Sequence, residues 1–380
     1  MQPRRLATTI LMSTLTSVNA PSFADTPIWE SWAQPQTQRG EFAPSRTGFM
    51  QPRIQLATYS APAIANSNSP VQAGLRDLAN SLRNKKRWER QAPLGANIAN
   101  KTLQDTIEQL LYWQGDLSPN SLRQRFDLIP IASQKHPQAG DFTGYYTPSL
   151  VGSRTRTERF TIPVYRMPKG KASQLSHAQI AQGALASKNL EVAWVDDPYL
   201  LYIAQVQGSA QIHFTDGTVS TLDYAGNNGK AFQPVSDYLK AKGYNVGRLT
   251  HDNIGRWLNE RPAIMREALL HNPRYIFFRE TKGLPKTASG ASVVPWHTIA
   301  VDSRYIPHGS VLLAELPRVN AQGQRTGETE WRLLFAQDHG RAIQGNGRFD
   351  VYTGIGDHAE SATYSVSGSH RTFLLVSKSG

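Results

Sequence analysis

Gln337-Asp338-His339-Gly340-Arg341-Ala342-Ile343 and Arg348-Phe349-Asp350-Val351-Tyr352 stand twelve residues apart, aspartate to aspartate, near the end of a 380-residue chain. The first stretch ends a strongly apolar run, Trp331 to Ala336, that reads as a strand. In the second, strand periodicity of two puts Phe349 and Val351 on one side and Asp350 and Tyr352 on the other. An aspartate inside such a β-branched and aromatic strand is unfavourable both for propensity and for burial. It requires a compensating role. Three glycines, Gly340, Gly345 and Gly347, lie between the aspartates and let backbone pass close to a ligand or a neighbouring strand. A third aspartate, Asp302, ends Ile299-Ala300-Val301 in the same manner. Two readings stand on these residues alone. Each aspartate caps a turn at a strand end, or together they form a carboxylate site for sugar chemistry with Asp350 as proton shuttle, its pKa raised by apolar burial or a second carboxylate.

Outward from this segment, β-branched and aromatic runs dominate after Gly140. They are Phe160–Tyr165, Leu190–Val195, Tyr199–Gln207, Gln211–Phe214, Val219–Tyr224, Tyr275–Phe278, Thr298–Val301, Val311–Leu316 and Thr372–Val376. Thr215-Asp216-Gly217 is a hairpin signal. Helices are predicted after Ser176, across Val235–Lys242, and around Trp257 and Leu269. Ahead of Gly140 the pattern is helical: Leu75–Trp88, then Leu103, Ile107, Leu110 and Leu111 with Gly115 as the stop, then a helix opened by Ser118-Pro119 that carries Leu122 and Phe126. Many short strands with few helices between them predict a mainly β chain with accessory helices, built on barrels and not on a doubly wound sheet.

The N-terminal region predicts a compartment. Arg4 and Arg5 precede a modestly apolar run from Leu6 to Val18, and small residues at Ala20 and Ala24 suit a signal peptidase. Residues 1–24 are therefore expected to be a signal peptide and 25–74, rich in Pro, Ser, Gln, Thr and Asn, a flexible linker. The chain carries 41 Lys+Arg against 29 Asp+Glu, a formal charge of +12, which favours polyanionic partners. The run Arg83, Lys85, Lys86, Arg87 and Arg90 reads as a solvated helix face, and no nucleic-acid partner is expected. With no cysteine at all, disulfides, Cys-zinc sites, thiol catalysis and a cysteine-linked lipid are excluded.

Several chemistries lack their residues. No His-Glu-x-x-His zinc motif and no Gly-x-Ser-x-Gly elbow occur, and Gly226–Lys230 has the wrong spacing for a phosphate loop. Gly345-Asn346-Gly347 lacks the third glycine of a dinucleotide fingerprint. No metal and no cofactor are expected.

The chain resembles the membrane-bound lytic murein transglycosylase A family with its C-terminal three-aspartate (3D) domain. The resemblance covers roughly residues 140 to 376. Phe142-Thr143-Gly144-Tyr145-Tyr146-Thr147-Pro148, Ile162–Pro168, Val206-Gln207-Gly208-Ser209, Tyr224–Gly229, Asn272-Pro273 with Phe277-Phe278, Gly290-Ala291-Ser292, Ala300-Val301-Asp302 with Ile306–Gly309, and Asp338–Gly356 carry it. It implies a double-psi β-barrel with a second β-rich domain inserted and a groove between them. Residues 75–147 plus 283–380 would form the helical N-terminal part and the barrel, and 148–282 the insert. It implies cleavage of the β-1,4 bond between N-acetylmuramic acid and N-acetylglucosamine in peptidoglycan glycan strands without water, leaving a 1,6-anhydro end. By position Asp350 matches the catalytic aspartate, first acid and then base. Asp338 and Asp302 become candidates for stabilising oxocarbenium-like charge or holding the barrel loops, Asp302 inclining to the structural role. Thr143, Tyr145, Tyr146, Gln207, Gly208 and Ser292 would line the groove for substrate.

Two departures bear on this. The family's Asp-Thr-Gly-Gly-Ala-Ile is Asp338-His339-Gly340-Arg341-Ala342-Ile343 here, and the expected Ala-Gly repeat reads Ala359-Glu360-Ser361-Ala362-Thr363. An inverting hydrolase using Asp338 and Asp350, with carboxyls about 6.5–9.5 Å apart, and a non-catalytic wall-binding protein remain as alternatives, Arg341 being the residue that suggests the latter. The expected location is the periplasm, with peripheral outer-membrane association but no lipid anchor, and the expected state is a monomer.

Overall fold

The structure, a computed structural model, describes residues 69–84, 90–92 and 96–378. The expected signal peptide, nearly all of the linker, and Lys85, Lys86 and Arg87 lie outside the described residues.

Before the insert come α1 (Pro70–Asn84), β1 (Arg90–Ala92), β2 (Ala96–Ile98), α2 (Asn100–Leu111), α3 (Pro119–Leu122), β3 (Phe126–Pro130) and β4 (Gly140–Thr147). Next are β5 (Ser149–Ser153), β6 (Ile162–Tyr165), α4 (His177–Ala181), β7 (Glu191–Val195), α5 (Pro198–Gln207), β8 (Ser209–Phe214) and β9 (Val219–Asn227). Then follow α6 (Val235–Ala241), α7 (His251–Asn259), α8 (Pro262–His271) and β10 (Ile276–Thr281). The chain ends with β11 (Thr298–Ala300), β12 (Val311–Val319), β13 (Arg325–Asp338), β14 (Arg348–Ile355), α9 (Asp357–Val366), β15 (Gly368–His370) and β16 (Thr372–Ser377).

Two large sheets organise the molecule. A six-stranded sheet, order β10-β9-β8-β5-β7-β6, uses only strands between Ser149 and Thr281. An eight-stranded sheet, order β15-β4-β14-β11-β13-β12-β16-β3, uses the strands on either side of that stretch. The chain is thus mainly β with accessory helices, one sheet inserted in the sequence of the other. Parallel pairs β4·β14 and β11·β13 sit among antiparallel ones, and among the described residues no ladder joins the end strands β15 and β3.

Each sheet buries its own core. Val71, Leu75, Leu78, Ala79 and Leu82 recur at helical spacing on α1 and are all buried against the large sheet, in one cluster with Leu103, Ile107 and Leu110 of α2 and Phe335, Phe349 and Val351. A second cluster packs Leu150, Ile212 and Leu222 of the smaller sheet against Tyr202, Leu239, Leu258 and Leu269 of its helices.

Several local expectations change. The stretch Tyr199–Gln207, predicted as a strand, is α5. The side chain of Asp197 accepts from Leu200 N at 2.8 Å, Pro198 holds the first turn, and Gly208 closes the helix at φ 81°. Because α5 is buried nearly all round, its composition mimics a core strand. Helix α1 starts at Pro70, inside the region read as linker, and α2 ends at Leu111, short of Gly115. Ser118 does cap α3, but that helix has one turn and Phe126 belongs to β3. Strands β4, β5 and β15 and helix α9 had no counterpart in the sequence reading.

Candidate functional site

The register of three neighbouring strands sets the site. Ala300 of β11 pairs with Asp338 of β13 on one side and Asp350 of β14 on the other. On the far side of β14, Asp350 pairs with Thr143 and Tyr352 with Tyr145 of β4. Thr143 and Tyr145 alternate with buried Phe142 and Tyr146, so the polar row of β4 faces the same way as Asp350 and Tyr352. Phe349 and Val351, on the opposite face of β14, are fully buried in the core and clamp the strand.

Asp350 is partly buried. Its Oδ1 accepts a 2.6 Å hydrogen bond from Thr143 Oγ1, and that hydroxyl in turn accepts from Arg348 Nη2 at 2.8 Å. Burial pushes the Asp350 carboxyl up to about 6. The Thr143 hydrogen bond and the Arg348 charge pull it back, and the charge of Asp338 adds a smaller push upward. A carboxyl with that pKa is roughly one-tenth protonated at pH 7, far more than an ordinary aspartate, and able to take the proton back.

Asp338 is differently engaged. Oδ2 accepts from the Tyr145 hydroxyl at 3.0 Å, while Oδ1 accepts from Ala288 N at 3.1 Å and His339 N at 2.9 Å. Both oxygens are committed to fixed donors. Burial first, then the charges of Asp338 and Asp350, raise the Tyr145 hydroxyl well above its ordinary value, which keeps it a proton donor. Its ring lies 5.3 Å from that of Tyr352.

Asp302 belongs to a turn. It accepts from Arg304 Nη2 at 2.6 Å and Nε at 2.9 Å, and from Gly345 N at 2.8 Å. The Arg304 hydrogen bonds hold its carboxyl down at about 2. This aspartate ties the loop between β13 and β14 to the end of β11, and its charge is already matched.

The remaining predicted residues divide. Gln207 Oε1 accepts from Tyr146 N at 3.2 Å, so the end of α5 fixes the backbone of β4. The Tyr146 hydroxyl donates to Glu360 of α9 at 2.9 Å, turned away from the Asp350 side of the strand. Gly208 is the left-handed cap of α5. Ser292 accepts from Lys286 Nζ at 2.6 Å on the loop whose Ala288 N holds Asp338. The structure therefore brings Thr143, Tyr145, Asp338 and Asp350 into one linked group, with Gln207, Gly208 and Ser292 around it and Asp302 at its rim.

Sequence reasoning gave Arg348 no role, although period two places it on the face of Asp350. Glu360 emerges only through the unforeseen helix α9. Among the described residues no group of three or more His, Asp or Glu is placed to hold a metal ion.

Comparison with known proteins gives concordant results. Residues 141–279 match the family model described as the MltA specific insert domain, and residues 297–371 match the 3D domain. Membrane-bound lytic murein transglycosylase A of Escherichia coli K12 is 37% identical over 222 residues, 57% of this chain and 60% of that protein. The Vibrio cholerae protein of the same name is 34% identical over the same shares. The alignment thus spans somewhat less than two thirds of these curated relatives. The crystal structure of E. coli MltA with bound chitohexaose superposes with a TM-score of 0.69 at 30% identity, covering 82% of this chain and 91% of that one. MltA from Neisseria gonorrhoeae superposes at 0.66 and 25% identity, covering 82% and 88%. By its two matching domains and its shared fold, this chain belongs to the membrane-bound lytic murein transglycosylase A family.

Proposed function

We propose that this chain is a peptidoglycan lytic transglycosylase. It cleaves the β-1,4 bond between N-acetylmuramic acid and N-acetylglucosamine without water. The observation that carries this reading is the single carboxyl, Asp350, poised at about 6 and held by Thr143 and Arg348. Asp350 donates its proton to the glycosidic oxygen as the C1–O bond breaks. Its carboxylate then takes the proton of the muramoyl C6 hydroxyl, whose oxygen bonds to C1 and closes the 1,6-anhydro ring. One proton goes out and one comes back, so the enzyme is regenerated with no water consumed. An internal nucleophile makes a second, water-activating carboxylate unnecessary.

The engagement of Asp338 favours this over an inverting hydrolase. Its Cα and that of Asp350 are two strand spacings apart, roughly 9 to 10 Å, which an inverting pair would tolerate. Three of the roughly four lone-pair sites of Asp338, however, already accept from Tyr145, Ala288 and His339, which leaves about one, on Oδ2, for a water. In this reading Asp338 and Tyr145 stabilise positive charge at C1 and fix the sugar. Asp302 holds the loop that carries Gly345. Thr143, Gln207, Gly208 and Ser292 shape the groove between the two sheets, which takes the glycan as E. coli MltA takes chitohexaose, and Tyr146 anchors β4 from behind through Glu360.

The same reading places the protein in the periplasm, against the wall and peripheral to the outer membrane. Among the described residues no helix is long and apolar enough to cross a membrane. Cell fractionation tests this location.

Digestion of purified sacculi, with mass spectrometry of the released muropeptides, tests the reaction. Anhydro-muramoyl ends are expected. Reducing ends would establish a hydrolase, and intact sacculi with protein bound would establish a binding protein. Asp350→Asn is expected to abolish release and retain binding.

A further inference from the structure

Arg348 stands two residues before Asp350 on β14, and the register that pairs Asp350 with Thr143 pairs Arg348 with Asp141 of β4. Its guanidinium is pinned at both ends. Nη1 donates to the Phe349 carbonyl at 2.5 Å and to the Asp141 carbonyl at 3.3 Å, while Nη2 donates to Thr143 Oγ1 at 2.8 Å. Nε lies 3.9 Å from the Asp141 carboxylate, which Lys135 Nζ also meets at 3.2 Å. The arginine side chain is only 20% exposed, so strand carbonyls set the plane of its fork.

That fixed plane decides where the Thr143 hydrogen goes. A guanidinium has donors only, so Nη2 fills a lone pair of Oγ1. Among the described residues the one acceptor bonded to that hydroxyl is Asp350 Oδ1, at 2.6 Å. The hydroxyl therefore donates to Oδ1, and the cation behind it polarises the O–H and strengthens the donation. A proton placed on Oδ1 would displace the Thr143 hydrogen and leave it without an acceptor. Oδ2 of Asp350 has no hydrogen-bond partner among the described residues. The other ionisable groups around Asp350 leave this arrangement intact. Asp338 of β13 acts on it through charge, Tyr145 donates to Asp338, Tyr352 is bonded to Thr147, and Asp302 beyond β11 is held by Arg304.

We propose that Arg348 is a positioning residue, which turns the Thr143 hydroxyl onto Oδ1 and so assigns the catalytic proton of Asp350 to Oδ2. This rests on the reading of Asp350 as the acid. Oδ2 then gives the proton to the glycosidic oxygen and takes back that of the C6 hydroxyl, while Oδ1 stays bonded to Thr143 throughout. The charge of Arg348 and the hydrogen bond it orients act in the same sense, both favouring the carboxylate.

A double-mutant cycle over Thr143→Val and Arg348→Met tests the link. The readouts are the rate of muropeptide release against pH and, in the protein without substrate, the carbon-13 NMR titration of the Asp350 carboxyl. Arg348→Met is expected to lower kcat about ten-fold at a pH below that titration, the worth of one charge-assisted hydrogen bond, with KM unchanged. Each single variant is expected to move the Asp350 titration upward, and the double variant to move it by clearly less than the sum of the two. Arg348→Lys keeps the cation without the planar fork. It replaces Arg348→Met in the cycle if that variant does not fold, and the same shortfall is expected. The proposal is overturned if the two shifts add in full, or if the titration stays in place without Arg348. A rise in KM with kcat unchanged also overturns it, and makes Arg348 a glycan contact. Failure of the transglycosylase reading is seen separately, as wild-type digests without anhydro ends while the Asp350 titration still answers to Arg348.

Discussion

Thr143 and Asp350, 207 residues apart in the chain, are register partners on adjacent parallel strands and share a 2.6 Å hydrogen bond. The donor holds the ionised form of the acid, and burial opposes it. Their balance sets the Asp350 carboxyl at about 6.

On the proposed mechanism, activity should fall as pH rises above about 6, where Asp350 loses the proton assigned to the glycosidic oxygen. Thr143→Val removes a hydrogen bond that favours the carboxylate, so the fall should move to higher pH. A pH–rate profile of muropeptide release checks this, and an inflection that stays in place would refute the assignment.

The same group leaves a mark on stability. Its folded pKa, about 6, lies above the unfolded value near 3.8, so the folded state binds more protons between them. Wild-type stability should therefore fall as pH rises from about 4 to 6 and stay lower beyond. Asp350→Asn lacks this loss. Its gain over wild type should be on the order of 1–3 kcal/mol at pH 8 and should vanish at pH 4, as denaturant melts at the two values would reveal.

Asp302 behaves in the opposite sense. Its carboxyl is held at about 2, below the unfolded value, chiefly by Arg304. The stabilisation it gives is present above about pH 4 and lost as pH falls through 2. Arg304 is largely exposed, which discounts the pair. Asp302→Ala should cost about 1–2 kcal/mol at pH 7 and very little at pH 2. It should also release the Gly345 amide, visible as faster hydrogen exchange there.

Tyr145→Phe removes the hydroxyl that reaches Asp338 and keeps the ring beside Tyr352. A lost hydrogen bond to a charged group corresponds to roughly 10- to 100-fold. The turnover rate should drop by that factor, and because the bond is already made in the free protein the melting temperature should fall by a few degrees. A large stability loss with intact turnover would assign Tyr145 to packing alone.

Gly144→Ala tests how α9 is seated. A methyl at Gly144 would come within 2.6 Å of Thr363 Cα, a backbone atom that cannot swing aside. The substitution should cost about 1–3 kcal/mol by overpacking and displace Glu360 from Tyr146, which near-ultraviolet circular dichroism would register.

Strands that show their period or a hairpin turn were readable from residues alone, as β8 and β9 joined through Asp216-Gly217 illustrate. The aspartates were readable too, because acids in apolar strands violate propensity. Buried helix α5 was not, since a helix apolar all round lacks a polar face to reveal its period. Helix α9 hid among small and polar residues, Asp357 to Val366, whose reason to be helical is packing on Gly144 and its neighbours. Which residues touch the aspartates was beyond the sequence, because pairings such as Tyr145 with Asp338 span 193 residues. Arg348 alone could have been found by counting in twos from Asp350.

Strand β4 finds both of its ladder partners, β14 and β15, only after residue 347. The entire insert and the turns that follow it separate β4 from those partners, so closing this loop is among the slowest steps of folding. A chain ending before β14 carries Thr143 with no Asp350 beside it. The Thr143–Asp350 pair, and with it the poised carboxyl to which we assign the chemistry, therefore exists only once β14 has docked beside β4.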